Sequence, residues 1–442
     1  MHLLTLIFAF SVFSAEFFHP NSFPHRDGKA VFVDMTTADY FIEYDVTKKK
    51  AHAVARIKFS QPEEGYPVFD SVIAPDKIHL NGKAVSATEI KTPDNESKVR
   101  VLSNKNSAGD YDLYMEIPLV NLVFFTDTGV RSSFWTSDLE ERRFLESYLP
   151  TNLEFDQIKM SFTVKFVGAL NKQSIYTNGS LKQNADGTFK IDFPAYFTSS
   201  SLYFHVVPEN SMKELRFLLK SIDGRDIPAV VYFGSNSISA SLERLKAKTT
   251  EIFHELESDY GPFPHPSLTV YQAGMGGMEY CGATMTDFSA LGHELFHSYF
   301  ARGIMPANGN AGWIDEALAS WRDGNYQSRG ELTGTSGMSS WPYYTRTTDR
   351  AAYSFGERFM GYLDGKLQAK GGLKPFMRQM IEARLFKPFV IEDFINEMSE
   401  FYGESLKEDF FKYTFSSSQN VEGAKRSRFH QKMSYAELAE FL

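Results

Sequence analysis

Residues His293-Glu294-Leu295-Phe296-His297, followed after eighteen residues by Glu316 within Trp313-Ile314-Asp315-Glu316-Ala317, constrain this chain more than any other segment. Two histidines four apart on a helix lie on one face, one turn from each other, so both imidazoles reach a single metal ion. Glu294, between them, falls beside such an ion rather than on it, where it takes a proton from a metal-bound water. The eighteen intervening residues suffice for the end of that helix, a loop and the first turn of a second helix, from which Glu316 swings in as a third ligand. Three protein ligands and one open position is the arrangement of a catalytic zinc, one ion per chain, whereas four ligands would close a structural site.

The five-residue pattern alone arises by chance in roughly one chain in fifty of this size, and the glutamate at the right distance lowers that by about another order of magnitude. A lone helical histidine is more often a satisfied core or surface residue than a ligand. Here the surroundings favour the ligand: Ser289-Ala290-Leu291 with Phe296, Tyr299 and Phe300 make an apolar helix, and Thr286 and Asp287 stand upstream as N-cap candidates.

Further segments in the same order resemble those of the aminopeptidase N-type zinc peptidases (gluzincins). Gly276-Gly277-Met278-Glu279-Tyr280 looks like that family's Gly-x-Met-Glu-Asn exopeptidase motif, in a form ending in Tyr. Trp313-Ile314-Asp315-Glu316 is similar to its Trp-x-x-Glu, and Tyr353-Ser354-Phe355-Gly356 to its Tyr-x-x-Gly. Weaker similarity extends upstream to about residue 30. The resemblance implies that Gly276, Gly277, Met278 and Glu279 form the substrate-binding edge and that Tyr353 donates a hydrogen bond to the developing oxyanion. From the residues alone Tyr343 and Tyr344 stand level with Tyr353. Asp315 reads equally as a support behind the metal ligands or as a helix N-terminal acid. Glu279 reads as a binder of the substrate's α-ammonium or as a solvated edge charge.

The intervals from Glu279 to His293 and from Glu316 to Tyr353 are shorter than the family's, and the end near residue 442 leaves no room for the large C-terminal helical domain of many members. Arg302-Gly303-Ile304-Met305-Pro306 looks somewhat like the corresponding stretch of glycyl aminopeptidases, which share the zinc ligands.

A chain of 442 residues accommodates two or three domains with substantial cores. Its net charge of −9, without a Lys/Arg cluster suited to a groove, argues against a nucleic-acid partner. The basic group Lys425, Arg426 and Arg428 reads as a solvated helix face. Met1 to Ala15 carries no charged side chain and has an apolar centre at Leu3–Phe10, the shape of a signal peptide and too short for a membrane span. Export to the periplasm or medium, without membrane insertion, is therefore expected. The sole cysteine, Cys281, excludes an intrachain disulfide and reads as a small buried hydrophobe.

Residues 25–208 read as an all-β domain. Tyr40–Val46 and Ala51–Phe59 show partial alternation about a Lys-rich turn, Ile158–Phe166 alternates most cleanly, and Asn81-Gly82, Asn178-Gly179 and Asp186-Gly187 look like hairpin turns. After about residue 209, apolar residues from Leu242 to Leu256 recur at helical spacing until Gly261-Pro262. Leu268–Tyr271 is a short strand, Gly274–Tyr280 a sheet edge leading into the zinc helix, and helical segments dominate from 351, among them Phe376–Leu385 and Ile391–Tyr402.

The expected architecture is thus α+β and multidomain: an N-terminal β-sheet domain followed, over 209–442, by a thermolysin-like domain with a helical C-terminal part. The expected activity is zinc-dependent removal of N-terminal residues from peptide substrates. The alternatives are a zinc endopeptidase with an open cleft and a catalytically inactive peptide-binding relative. Oligomeric state is not legible.

Overall fold

The computed structural model describes residues 19–93, 98–135, 144–152, 156–234, 241–274, 276–307, 310–341 and 348–415. The apolar leader, Tyr343, Tyr344 and the basic group at 425–428 lie outside them.

From Phe23 to Pro208 every described element is a strand except the 3-10 turn Leu145–Ser147. The largest sheet has eight strands, ordered 180–183, 189–192, 159–167, 34–45, 50–61, 109–118, 77–80 and 83–84. The Lys-rich turn does join two long partners, with Asp45 opposite Lys50. Period-two alternation sends Tyr40, Ile42, Ala53, Ala55, Ile57, Met115 and Phe162 into one buried apolar cluster. The strand 159–167 is less alternating than its sequence suggests: it runs parallel to 34–45 in the sheet interior, where Met160, Ser161 and Phe162 are all buried.

Two of the three expected hairpin turns are present. Asn81 and Gly82 both have positive φ (47° and 77°) and join 77–80 to 83–84, as a tight hairpin requires. Gly187 (φ 84°) turns 180–183 back onto 189–192. Asn178-Gly179 is different: it passes the chain from one sheet, through 173–177, to another, through 180–183. Gly179 is needed there for space, because a Cβ would collide with Ile191 and Phe193. The Asn178 amide is spent on the carbonyls of Ser201 and Cys281, each at 2.8 Å.

Beyond residue 209 a second sheet has the order 212–220, 226–234, 268–272, 283–286 and 277–280. Its three central strands are parallel and its two outer strands antiparallel. Gly277–Tyr280 is the edge, as expected, but it does not lead straight into the helix that carries His293. Gly282 (φ 64°) turns the chain back, and Ala283–Thr286 fills the place between the edge and the sheet. The short interval from Glu279 to His293 thus holds a complete return strand.

All seven described helices follow residue 241: α1 Leu242–Tyr260, α2 Leu291–Phe296, α3 Ile314–Asp323, α4 Phe355–Lys366, α5 Leu373–Arg384, α6 Ile391–Tyr402 and α7 Lys407–Thr414. Ser241 caps α1 by accepting from Arg244 N, and Gly261 (φ 100°) ends it. One apolar cluster unites the inner face of α1 (Leu245, Ile252, Phe253, Leu256) with Trp313, Trp321, Phe359, Phe376, Phe394 and Phe410. Among the described residues no helix is long and apolar enough to cross a membrane.

Candidate metal centre

The helix bearing the two histidines is shorter than the sequence suggests. Asp287 accepts from the backbone N of Ser289 and Ala290 (2.6 and 2.9 Å) and so caps a turn that precedes α2, while the Thr286 hydroxyl donates to Asp287 O and caps nothing. His297 lies one residue past α2 but keeps right-handed helical angles (φ −61°, ψ −16°), which preserves the shared face. The two imidazole centroids are 4.9 Å apart.

Glu316, in the first turn of α3, completes the group. Its Oε2 lies 2.9 Å from His293 Nε2 and 3.5 Å from His297 Nε2, and the three ligand atoms fall within 4.8 Å of one another. Each Nδ1 has its own acceptor: Asp323 Oδ2 for His293 at 2.7 Å and Phe300 O for His297 at 3.0 Å. These groups accept only, so Nδ1 keeps a proton, and a bound metal ion in place of any proton on Nε2 would find that nitrogen's lone pair facing the shared space. Buried His297 Nε2 makes no hydrogen bond there. Two imidazoles and a carboxylate converging with one orphaned lone pair suit a zinc ion.

Asp323 was not legible as a functional residue, yet a signal existed, since seven residues after Glu316 is two helical turns and the same face of α3. Its neighbour Arg322 donates to Asp323 Oδ1 (3.3 Å) and to both carboxylate oxygens of Glu255 on α1 (3.0 and 2.8 Å). Arg322 lies so close to α2 that a Cβ at Gly292 would strike its guanidinium.

The site is acidic and largely buried. Burial, reinforced by the charge of Glu279, pushes the Glu294 carboxyl up to about 8. Burial, with Glu316 and Glu279 adding to it, pushes Asp315 up to about 7. Burial opposes charge on His293, but the hydrogen bonds to Asp323 and Glu316 outweigh it and lift its pKa to about 9. Glu316 goes the other way: against its burial, the charge of His297 and the bond from His293 hold it well below the usual carboxylate range. Such a cluster favours a cation between its ligands. Asp315 is an acid in the first turn of α3, where it accepts from Glu316 N at 2.9 Å, and it stands beside His297 and Glu279.

Glu294 is buried, with its carboxylate against Gly277 of the edge strand, where any Cβ would collide with it. The group that the glycine admits is the chain's own carboxylate. Gly276 (φ 57°) and Gly277 are exposed, whereas Met278 is buried in an aromatic cluster with Tyr176, Tyr203, Tyr232 and Tyr280. Glu279 is not a solvated edge charge: it is 4% exposed and accepts from Arg302 Nη2 at 2.8 Å. Arg302 belongs to the stretch likened above to glycyl aminopeptidases, and nothing in the sequence pairs it with Glu279. Cys281 is buried in the core cluster of the N-terminal sheets, its thiol pushed up to about 12 by burial.

Tyr353 ends the 3-10 turn Arg350–Tyr353 and lies half-buried, its ring 6.3 Å from that of His293 and 20° from parallel. Gly356 explains the approach. A Cβ there would strike Ala317, next to Glu316, so its absence lets the start of α4 close on α3.

No family model and no curated protein matches the sequence. Solved structures do match. An M1 zinc metallopeptidase from Deinococcus radiodurans superposes with a TM-score of 0.61 at 13% identity, over 90% of this chain and 98% of that one. Leukotriene A4 hydrolase from Saccharomyces cerevisiae gives 0.63 at 13%, over 90% and 69%. Aminopeptidase A of Legionella pneumophila, in complex with aspartic acid, gives 0.65 at 14%, over 88% of this chain and 50% of that one. The chain therefore has the fold of the M1 zinc metallopeptidases.

Proposed function

We propose that the protein is a zinc-dependent aminopeptidase. The observation that carries the reading is the convergence of His293, His297 and Glu316, with His297 Nε2 buried and unbonded, beside Glu294 of α2, whose carboxylate lies against the edge strand. These three residues would hold one zinc ion, which supplies Lewis acidity toward the scissile carbonyl and lowers the pKa of a water at its open position.

The chain's own residues supply the rest. Glu294 takes the proton from the attacking water and returns it to the leaving amine. Tyr353 donates its hydroxyl hydrogen to the developing oxyanion, a contribution worth roughly 3 kcal/mol. The exposed backbone at Gly276 and Gly277 receives the extended peptide, with Glu279 set to bind its α-ammonium; a charge-assisted bond of that kind is worth roughly 1.5–3 kcal/mol. The leader at Met1–Ala15 places the enzyme outside the cytoplasm.

One observation favours endopeptidase action instead: Arg302 already pairs with Glu279, which leaves less negative charge for a substrate cation. A matched pair of peptides, free and N-acetylated, separates the two readings. An aminopeptidase cleaves the free peptide much faster, and Glu279→Gln raises KM for it by about one to two orders of magnitude. Equal cleavage of both peptides overturns the aminopeptidase reading and leaves the zinc hydrolase standing.

A further inference from the structure

We propose that Arg302 is a positioning residue for recognition of the substrate's amino terminus, holding Glu279 from the side of the N-terminal β-sheets. The proposal rests on the aminopeptidase reading above. Arg302 stands five residues past His297 and is 4% exposed. Its backbone N donates to His297 O at 3.0 Å, which ties it to the ligand-bearing segment. Its guanidinium spans two parts of the molecule: Nη2 donates to Glu279 Oε1 at 2.8 Å and Nη1 to Ser200 Oγ at 2.6 Å.

Ser200 lies in a fully buried turn, Thr198–Ser201, which also grips the end of the edge strand. Cys281 N donates to Ser201 O at 3.0 Å, and the Asn178 amide bridges Ser201 O and Cys281 O. The turn thus holds the strand through its backbone and the Glu279 side chain through Arg302.

A buried carboxylate beside Glu294 and Asp315 is driven away from them by like charge unless a cation holds it. The planar guanidinium is suited to that task, since its arms reach two partners in a fixed geometry that a lysine ammonium lacks. With Oε1 committed to Arg302, the second oxygen is the one left for an ammonium, and a carboxylate already locked in place loses little rotamer freedom when substrate arrives. Arg302 weakens the pull of Glu279 on a second cation but fixes where that pull is exerted, and position decides the preference.

The test uses the full-length, zinc-loaded enzyme and the ratio of kcat/KM for a free-amine peptide to that for its N-acetylated form. Arg302→Lys is expected to lower the ratio about five- to tenfold, through KM for the free peptide, with zinc content unchanged. Arg302→Met, which leaves a buried carboxylate unpaired, is expected to lower it about a hundredfold. In a Glu279→Gln background Arg302→Lys should cost nothing more, because Arg302 acts through that carboxylate. If Arg302→Met does not fold, Arg302→Lys and Ser200→Ala, each alone and with Glu279→Gln, carry the test. Losses that multiply in the double variant, or that fall equally on both peptides, overturn the proposal. A wild type that cuts both peptides alike overturns the aminopeptidase reading as well, so the two failures are distinguishable.

Discussion

The proposed ligand cluster and the proposed substrate-reading edge lie side by side around His297, yet they are built in opposite ways. His293, His297 and Glu316 come from two consecutive helices, and their meeting follows from intervals of four and nineteen positions along one stretch of chain. The edge is assembled from distant parts: Glu279 from a strand, Arg302 from the loop beyond the zinc helix and Ser200 from the other sheet system. Chemistry here is locally encoded, whereas the reading of the substrate's end depends on how the two halves of the molecule pack. Substitutions in the cluster should therefore abolish turnover of every substrate, and substitutions at the edge should change only which substrates are taken.

The largest effect expected is at His297. Its imidazole is buried and its Nε2 faces Glu316, so His297→Ala should lose zinc and activity together, with free and N-acetylated peptides affected alike. Metal analysis of the purified variant checks this; a variant that keeps a full zinc equivalent would break the division between the regions.

Next is Tyr353. Removing its hydroxyl leaves the ring beside His293 in place, so Tyr353→Phe should lower kcat by about two orders of magnitude with little change in KM. Wild-type kcat in a folded, zinc-containing variant would move the oxyanion role to another residue.

A smaller effect is expected one layer out. Asp323 fixes His293 through Nδ1, so Asp323→Ala should weaken zinc binding about ten- to a hundredfold, measured by competition with a chelator. Unchanged affinity would show that the locally encoded cluster needs no support from the Glu255–Arg322–Asp323 chain.

The smallest effect concerns the packing that the edge depends on. His205 and His265 are buried, and burial is the main force that lowers the pKa of each from 6.5 to about 3. Between those values the unfolded chain binds the proton and the folded chain does not. Stability is thus fully present above pH 6.5 and declines as pH falls toward 3. At pH 5.5 each histidine should have removed about 1.4 kcal/mol relative to neutral pH. Denaturant titrations at the two pH values, with His205→Gln losing its share of the decline, test this; a pH-independent midpoint would contradict it.

What was legible in the sequence follows the same division. The meeting of His293, His297 and Glu316, the helices α1, α5 and α6, and the β character of the described residues within 25–208 rest on short-range periodicity, which one sequence displays. The order of sheets does not: Asn178-Gly179 has the composition of a hairpin turn but serves as a crossing between sheets, because what Gly179 avoids is Ile191, a neighbour brought in by the fold. The return strand Ala283–Thr286 was hidden for another reason, being four residues long and placed where a direct passage into the helix also fits. The closeness of Gly277 to Glu294 was hidden as well, since the space the glycine leaves is filled by a side chain fifteen or more residues along the chain. Arg302 carries no signal at all, since a buried ion pair between residues 23 apart is set only when the edge strand and the loop meet.

The central claim is that Glu294 moves protons while His293, His297 and Glu316 hold the metal, and Glu294→Gln tests it most directly. The amide keeps the shape of the side chain against Gly277 but gives up its basicity. Zinc content and peptide turnover, measured on the same preparation, should show about one zinc per chain and almost no turnover. Loss of zinc as complete as in His297→Ala, or turnover near that of the wild type, would contradict the assignment.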